Sequence, residues 1–251
     1  MSKISIYHAY KLIFRSAAFV IALALYLYNF FTSDKTYEQA LKRPLVLWVV
    51  WLVFAVEIFL RLFPSRTESM GCQKQFNRNY LPKESTVPKK QEWWRTFIMV
   101  LLWIIGDGTV VALYLLSVID SGLVILYCLF LSVLDIVCIL FFCPFQTFVM
   151  KNKCCVGCRI YNWDYIMIFS PLFFIPSFFT VSIAALSLAL FLVWEIIYRR
   201  HPERFYESTN ASLDCARCDE KLCAHKTQLG KFLKDRPDKT EKFCKDSEIH
   251  K

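Results

Sequence analysis

Residues 96–142 read TFIMVLLWIIGDGTVVALYLLSVIDSGLVILYCLFLSVLDIVCILFF, and this stretch decides the fold class. Two apolar runs, Thr96 to Leu116 and Leu123 to Phe142, flank the short connection Ser117 to Gly122. Neither run contains Lys or Arg, and each has about the twenty residues a helix needs to cross roughly 30 Å of hydrocarbon. The connection has room only for a tight turn. The pair predicts a transmembrane helical hairpin.

Each arm carries one acid. Asp107, flanked by Gly106 and Gly108, lies about twelve residues before the turn centre, and Asp135 about fifteen after it. At a rise of 1.5 Å per residue the two carboxyls fall within about 5 Å of the same depth. An ionisable group that deep in a bilayer is a functional candidate by default. The alternative is two acids hydrogen-bonded within the bundle, with the glycines allowing close helix approach.

The rest of the chain repeats the pattern. Of 251 residues 56% are hydrophobic, 23 of them Phe, and the mean hydropathy is +0.39, which excludes an ordinary soluble domain. The formal charge of +9 is not a nucleic-acid signal, because Lys and Arg gather between the apolar runs, where they set orientation and meet anionic headgroups. The expectation is an all-α polytopic membrane protein of about five transmembrane helices, near 13–31, 44–63, 96–117, 122–142 and 166–198. A loop 64–92, a Cys-rich turn 143–163 and a polar Cys-rich tail 199–251 complete it, so that residues 1–198 form the membrane domain.

Met1 to Arg15 is a basic lead, and no small-residue cleavage site precedes Asp34, so the first run is expected to remain as a helix. In the second run Glu57 and Arg61 are spaced to reach water together as an i, i+4 pair. Asp164 to Tyr198 is about 50 Å long at helical rise, too short for two helical crossings and a turn. One crossing is expected, with Pro171 and Pro176 marking a kinked lead-in to Ser177–Ile197. Glu195 reads as the counter-ion of a border cluster with Arg199 and Arg200. Asn210-Ala211-Ser212 matches a glycosylation sequon, a signal too short to carry weight.

Five crossings place the amino terminus, the 64–92 loop and the cysteine turn on one face, and the tail on the other. Counting near-membrane Lys and Arg gives thirteen against seven, which predicts a cytoplasmic amino terminus, in a plasma membrane.

Eleven cysteines supply the remaining chemistry. Cys128 and Cys138 lie in an apolar run, where Cys behaves as a small hydrophobe, and Cys72 stands alone. Cys143, Cys154, Cys155 and Cys158 form one polar group; Cys215, Cys218, Cys223 and His225, with Cys244 beyond, form another. Cys155-x2-Cys158 and Cys215-x2-Cys218 place two sulfurs where one loop grips a metal, zinc or an iron–sulfur cluster. On opposite faces the first group would sit in a reducing compartment and favour metal, and the second would be free to form disulfides. No CxxCH, nucleotide loop, HExxH or G-x-S-x-G occurs.

Three functions are expected in order. The first is a cysteine-ligated metal or thiol redox site at the membrane border, passing electrons to a membrane or redox protein partner. The second is an ion- or proton-coupled transporter using Asp107 and Asp135. The third is a membrane scaffold with structural cysteines. The bilayer is a partner in all three, nucleic acid in none, and no reaction is assigned.

Overall fold

The computed structural model describes residues 3–32, 44–63, 74–83, 93–150, 159–206 and 208–213. Among these residues the regular elements are all helical. The long helices are α1 (Lys3–Thr32), α2 (Pro44–Leu62), α3 (Trp93–Leu115), α4 (Ser121–Leu140) and α6 (Phe178–Arg200), with α5 (Asp164–Phe169) a short one between α4 and α6. Four stretches are long and apolar enough to cross a membrane: Tyr7–Tyr28 in α1, then α3, α4 and α6. α2 adds an apolar helix of 19 residues. The chain is a helical membrane protein.

The side chains are arranged inside out relative to a water-soluble bundle. Ile13, Ile21, Phe30, Leu102, Ile104 and Ile105 are exposed on the outer faces, while Arg15, Arg61, Lys11 and Glu57 are buried. In water so much apolar surface would drive association. Against lipid tails it costs nothing, and the charges retreat inward.

α1 runs antiparallel to α4: Phe19 stacks near Phe130, and Tyr26 donates to Asp120 Oδ1 at 3.2 Å. Asp120 also caps α4, accepting from the Leu123 amide at 2.9 Å, the usual way to satisfy an orphan N–H at a helix start. Ser117, with φ of 57°, makes the reversal between α3 and α4. α2 and α6 are parallel: Trp48 stacks on Phe179 and Trp51 donates to Ser182 Oγ at 2.8 Å, so their first turns share one end. Beyond their last turns, Lys83 N–H donates to Thr209 O at 3.1 Å and Ala211 N–H to Leu81 O at 2.8 Å.

This corrects the expected layout. The segment after α2 and the segment after α6 emerge at the same end, not opposite ones. The reason lies in residues 159–177. Where the sequence reading places one helix over 166–198, the chain forms a 3₁₀ helix (Arg159–Trp163), α5, and a second 3₁₀ helix (Ser170–Phe174) before α6 begins. Pro171 has no N–H for the Met167 carbonyl, and so ends α5. A 3₁₀ turn rises about 2.0 Å per residue, further than an α-helix, and the contacts of 159–174 advance along α3 from Met99, beside Ile160, to Asp107, beside Ser170. Its start packs with Met99 and Met150, and its end leads to Phe178 beside Trp48. The passage traverses the bundle.

α1 also begins ten residues ahead of the expected 13–31. Lys11 and Arg15 are therefore inside the helix, not on a basic lead.

Candidate functional site

Two buried polar sites sit between the helices. The larger joins α1, α2, α4 and α5. From α1 Arg15 donates through Nη2 to Glu57 Oε2 at 2.5 Å and to the Tyr165 hydroxyl at 3.3 Å. Its Nη1 reaches the Ser132 carbonyl at 2.9 Å and Asp135 Oδ2 at 3.3 Å. The Tyr165 hydroxyl donates in turn to Glu57 Oε2 at 2.8 Å, and Lys11 Nζ stands 3.8 Å from the same oxygen. Next to them Arg61 pairs with Asp164 at 2.6 Å, its guanidinium 4.7 Å from the Tyr165 ring. Three cations face three carboxylates, and Arg15 is 1% exposed. Removing charges from water is expensive, and pairing each cation with a carboxylate offsets part of that cost.

Glu57 and Arg61 therefore do not reach water as an i, i+4 pair. Each turns inward to a partner on another element, Glu57 to Arg15 and Arg61 to Asp164. Glu195 does pair with Arg199, at 3.5 Å, at the end of α6.

The second site is centred on Asp107 of α3. The Trp103 indole donates to Oδ2 at 2.8 Å, Ser170 donates to the same oxygen, and the Tyr127 hydroxyl donates to Oδ1 at 3.0 Å. Asp107 is buried, and among the described residues no cationic side chain reaches it. All three partners are neutral.

The structure does not bring Asp107 and Asp135 together. Asp107 meets α4 at Tyr127, eight residues and about 12 Å of helix from Asp135. Asp135 belongs to the Arg15 cluster. Of the flanking glycines, a Cβ on Gly106 would sit 3.6 Å from the Tyr127 hydroxyl, whereas one on Gly108 would meet nothing within 4 Å.

Of the cysteine groups, Cys143 alone is described, its sulfur accepting from the Gln146 amide at 3.4 Å. Cys154, Cys155, Cys158, Cys215, Cys218, Cys223 and His225 lie outside the described residues. Among the described residues no three His, Cys, Asp or Glu side chains are grouped to hold a metal ion.

Asn210 is decided by geometry. It is fully buried; its Nδ2 donates to the Lys74 and Arg204 carbonyls at 3.0 and 2.9 Å, and its Oδ1 accepts from Ser212 N at 3.0 Å. An amide nitrogen spent on two carbonyls is a clamp, not a sugar acceptor. Protein made in a glycosylating host is expected to show no glycosidase-sensitive shift at Asn210. Asn210→Ala is expected to cost about 1–3 kcal/mol, the price of orphaned buried carbonyls, read as a lower unfolding midpoint. A glycosidase-sensitive shift that Asn210→Gln abolishes would overturn the assignment.

No protein-family model, curated protein or solved structure matches this chain.

Proposed function

We propose that this is an integral membrane protein that carries a small cation across the bilayer, binding it at Asp107. The observation that carries this reading is a carboxyl within a membrane span whose partners are all neutral donors. A carboxylate in low dielectric without a counter-cation is costly to keep, and a bound cation or proton relieves it. The broken passage 159–177 supports the reading. Interrupted helices at membrane depth are tolerated where they are buried in protein or line a pathway, and they recur at transporter binding sites. That passage also carries Ser170 to Asp107 and Tyr165 to the Arg15 cluster, so one segment touches both sites. The Arg15 cluster then serves as the closed gate toward the end where 74–83 and 201–213 emerge. Purified protein in liposomes, given a cation or pH gradient, tests this; flux no greater than in protein-free liposomes sinks it.

In this reading the membrane is crossed six times, with both termini, the 64–92 loop and the cysteine turn on one face. Moving Arg199, Arg200, Arg204 and Arg217 to that face leaves Lys35, Lys42 and Arg43 opposite them, and the positive-inside rule makes the shared face cytoplasmic, in the plasma membrane by the earlier expectation. Thiol labelling in intact cells is expected to modify Cys72, Cys155 and Cys218 from the same side. Labelling of Cys218 from the other side would restore five crossings.

The same arrangement supports a second reading, metal binding by the two cysteine groups. Met150, Arg159 and Leu213, which lead into those groups, lie at or toward the same end of the bundle, so one compartment and one zinc or iron–sulfur site would serve both. Metal content that survives Cys155→Ser and Cys218→Ser alike would remove it.

A further inference from the structure

We infer that the ion held at Asp107 is a proton, exchanged through the hydroxyls of Tyr127 and Ser170 while Trp103 holds the carboxyl in place. This rests on the transport reading and names its substrate.

The donor inventory supplies the argument. An indole N–H donates and never accepts, whereas a phenol or serine hydroxyl does either by turning about its C–O bond. In the arrangement found, Oδ2 takes the Trp103 and Ser170 protons and Oδ1 takes the Tyr127 proton. That set satisfies an ionised carboxylate. When Asp107 is protonated through Tyr127 or Ser170, hydronium gives its proton to that hydroxyl and becomes water, the hydroxyl's own O–H bond breaks, and one O–H bond forms on the carboxyl, which becomes a donor. One partner must then accept. Trp103 is unable to, but Tyr127 or Ser170 turns its hydroxyl and does, with no atom leaving the site. Both protonation states are thus hydrogen-bonded by the same side chains, as a carrier that alternates between them requires.

A hard metal cation fits the same site poorly. Such ions gather six or more oxygens at about 2.0–2.6 Å. Besides the carboxylate, the side chains contacting Asp107 offer two hydroxyl oxygens, and the third is an N–H whose positive end points at the oxygen a metal would need. Among the described residues, the titratable groups facing Asp107 are Tyr127 and Cys128 of α4. Trp103 of its own helix and Ser170 of the broken passage do not titrate.

Infrared difference spectroscopy on the whole protein in lipid, titrated with acid, tests the inference. The expected result is a protonated-carboxyl C=O band present in the native chain and absent from Asp107→Asn. The band should shift in Tyr127→Phe and shift further toward the position of an unbonded acid in Tyr127→Phe with Ser170→Ala, stopping short of it because Trp103 still donates to the carboxyl. No Asp107-dependent band at any pH at which the protein stays folded would overturn it. So would carboxylate bands that respond to sodium in the native chain but not in Asp107→Asn. A band in protein whose liposomes pass no ion would refute transport and leave the proton site standing. Sodium flux that needs Asp107, without the band, would refute the proton and leave transport standing.

Discussion

Arg15→Met is expected to cost about 3–5 kcal/mol, the range measured when one partner of a buried ion pair is removed. Methionine fills a similar volume, so the loss is electrostatic. Arg15 touches Glu57, Asp135, the Ser132 carbonyl and Tyr165, and without it two carboxylates face each other across the α1–α2–α4 junction. Lys11, 3.8 Å from Glu57, compensates one of them weakly. A loss of that size is a large fraction of a protein's whole stability. It should appear as a fall in monodisperse protein after detergent extraction and as a lower unfolding temperature. Arg15→Lys should recover part of the loss, since an ammonium keeps the charge but not the two-sided fork. Adding Glu57→Gln and Asp135→Asn to Arg15→Met should recover more, because the orphaned charges go with their partner. An Arg15→Met protein as stable as the native chain would reduce the cluster to a bystander.

The helical membrane class was legible from the hairpin alone, because apolar length is a local property. The ionic cluster was not. Arg15 stands at the edge of an apolar run, and edge cations in such sequences ordinarily mark the border. It is internal only because α1 starts at Lys3, which places it about 18 Å into the helix. Glu57 and Arg61 have the spacing of a local pair, and nothing in a linear sequence reveals partners 42 and 103 residues away. The passage 159–177 was misjudged for a different reason. Length at an α-helical rise argues against a crossing there, but the chain breaks into two 3₁₀ segments around a short helix and leads from Met99 to Phe178 beside Trp48 without a full helix. Pro171 and Pro176 marked the break correctly, but a proline says where a helix stops and not which way the chain continues. Asp107 was legible as a buried acid, and the depth arithmetic then gave it the wrong partner. Matching residues by distance from the turn ignores how α3 and α4 slide past each other. The register that places Tyr127 opposite Asp107 is set by packing on α1 and on the broken passage.

Asp107→Asn is expected to reduce ion flux to that of protein-free liposomes while leaving the protein folded. The substitution keeps size and shape. The Asn carbonyl oxygen in the Oδ2 place accepts from Trp103 and Ser170, and its NH₂ donates to Tyr127 once that hydroxyl turns, so the three contacts survive in neutral form. What is lost is the ability to bind and release a charge. Asp135→Asn provides the contrast, because it sits in the other site. There it removes one of the two carboxylates held by Arg15, so stability should fall while flux per folded molecule persists or rises, because the gate is weakened and the ion site is intact. The two variants thus separate the sites by different measurements: flux at unchanged unfolding temperature for Asp107, unfolding temperature at retained flux for Asp135. If both abolish flux without loss of stability, the two acids act as one relay despite the 12 Å of helix between Tyr127 and Asp135. If Asp107→Asn transports at the native rate, the carboxyl is a structural knot between α3, α4 and the broken passage, and the transport reading fails with it.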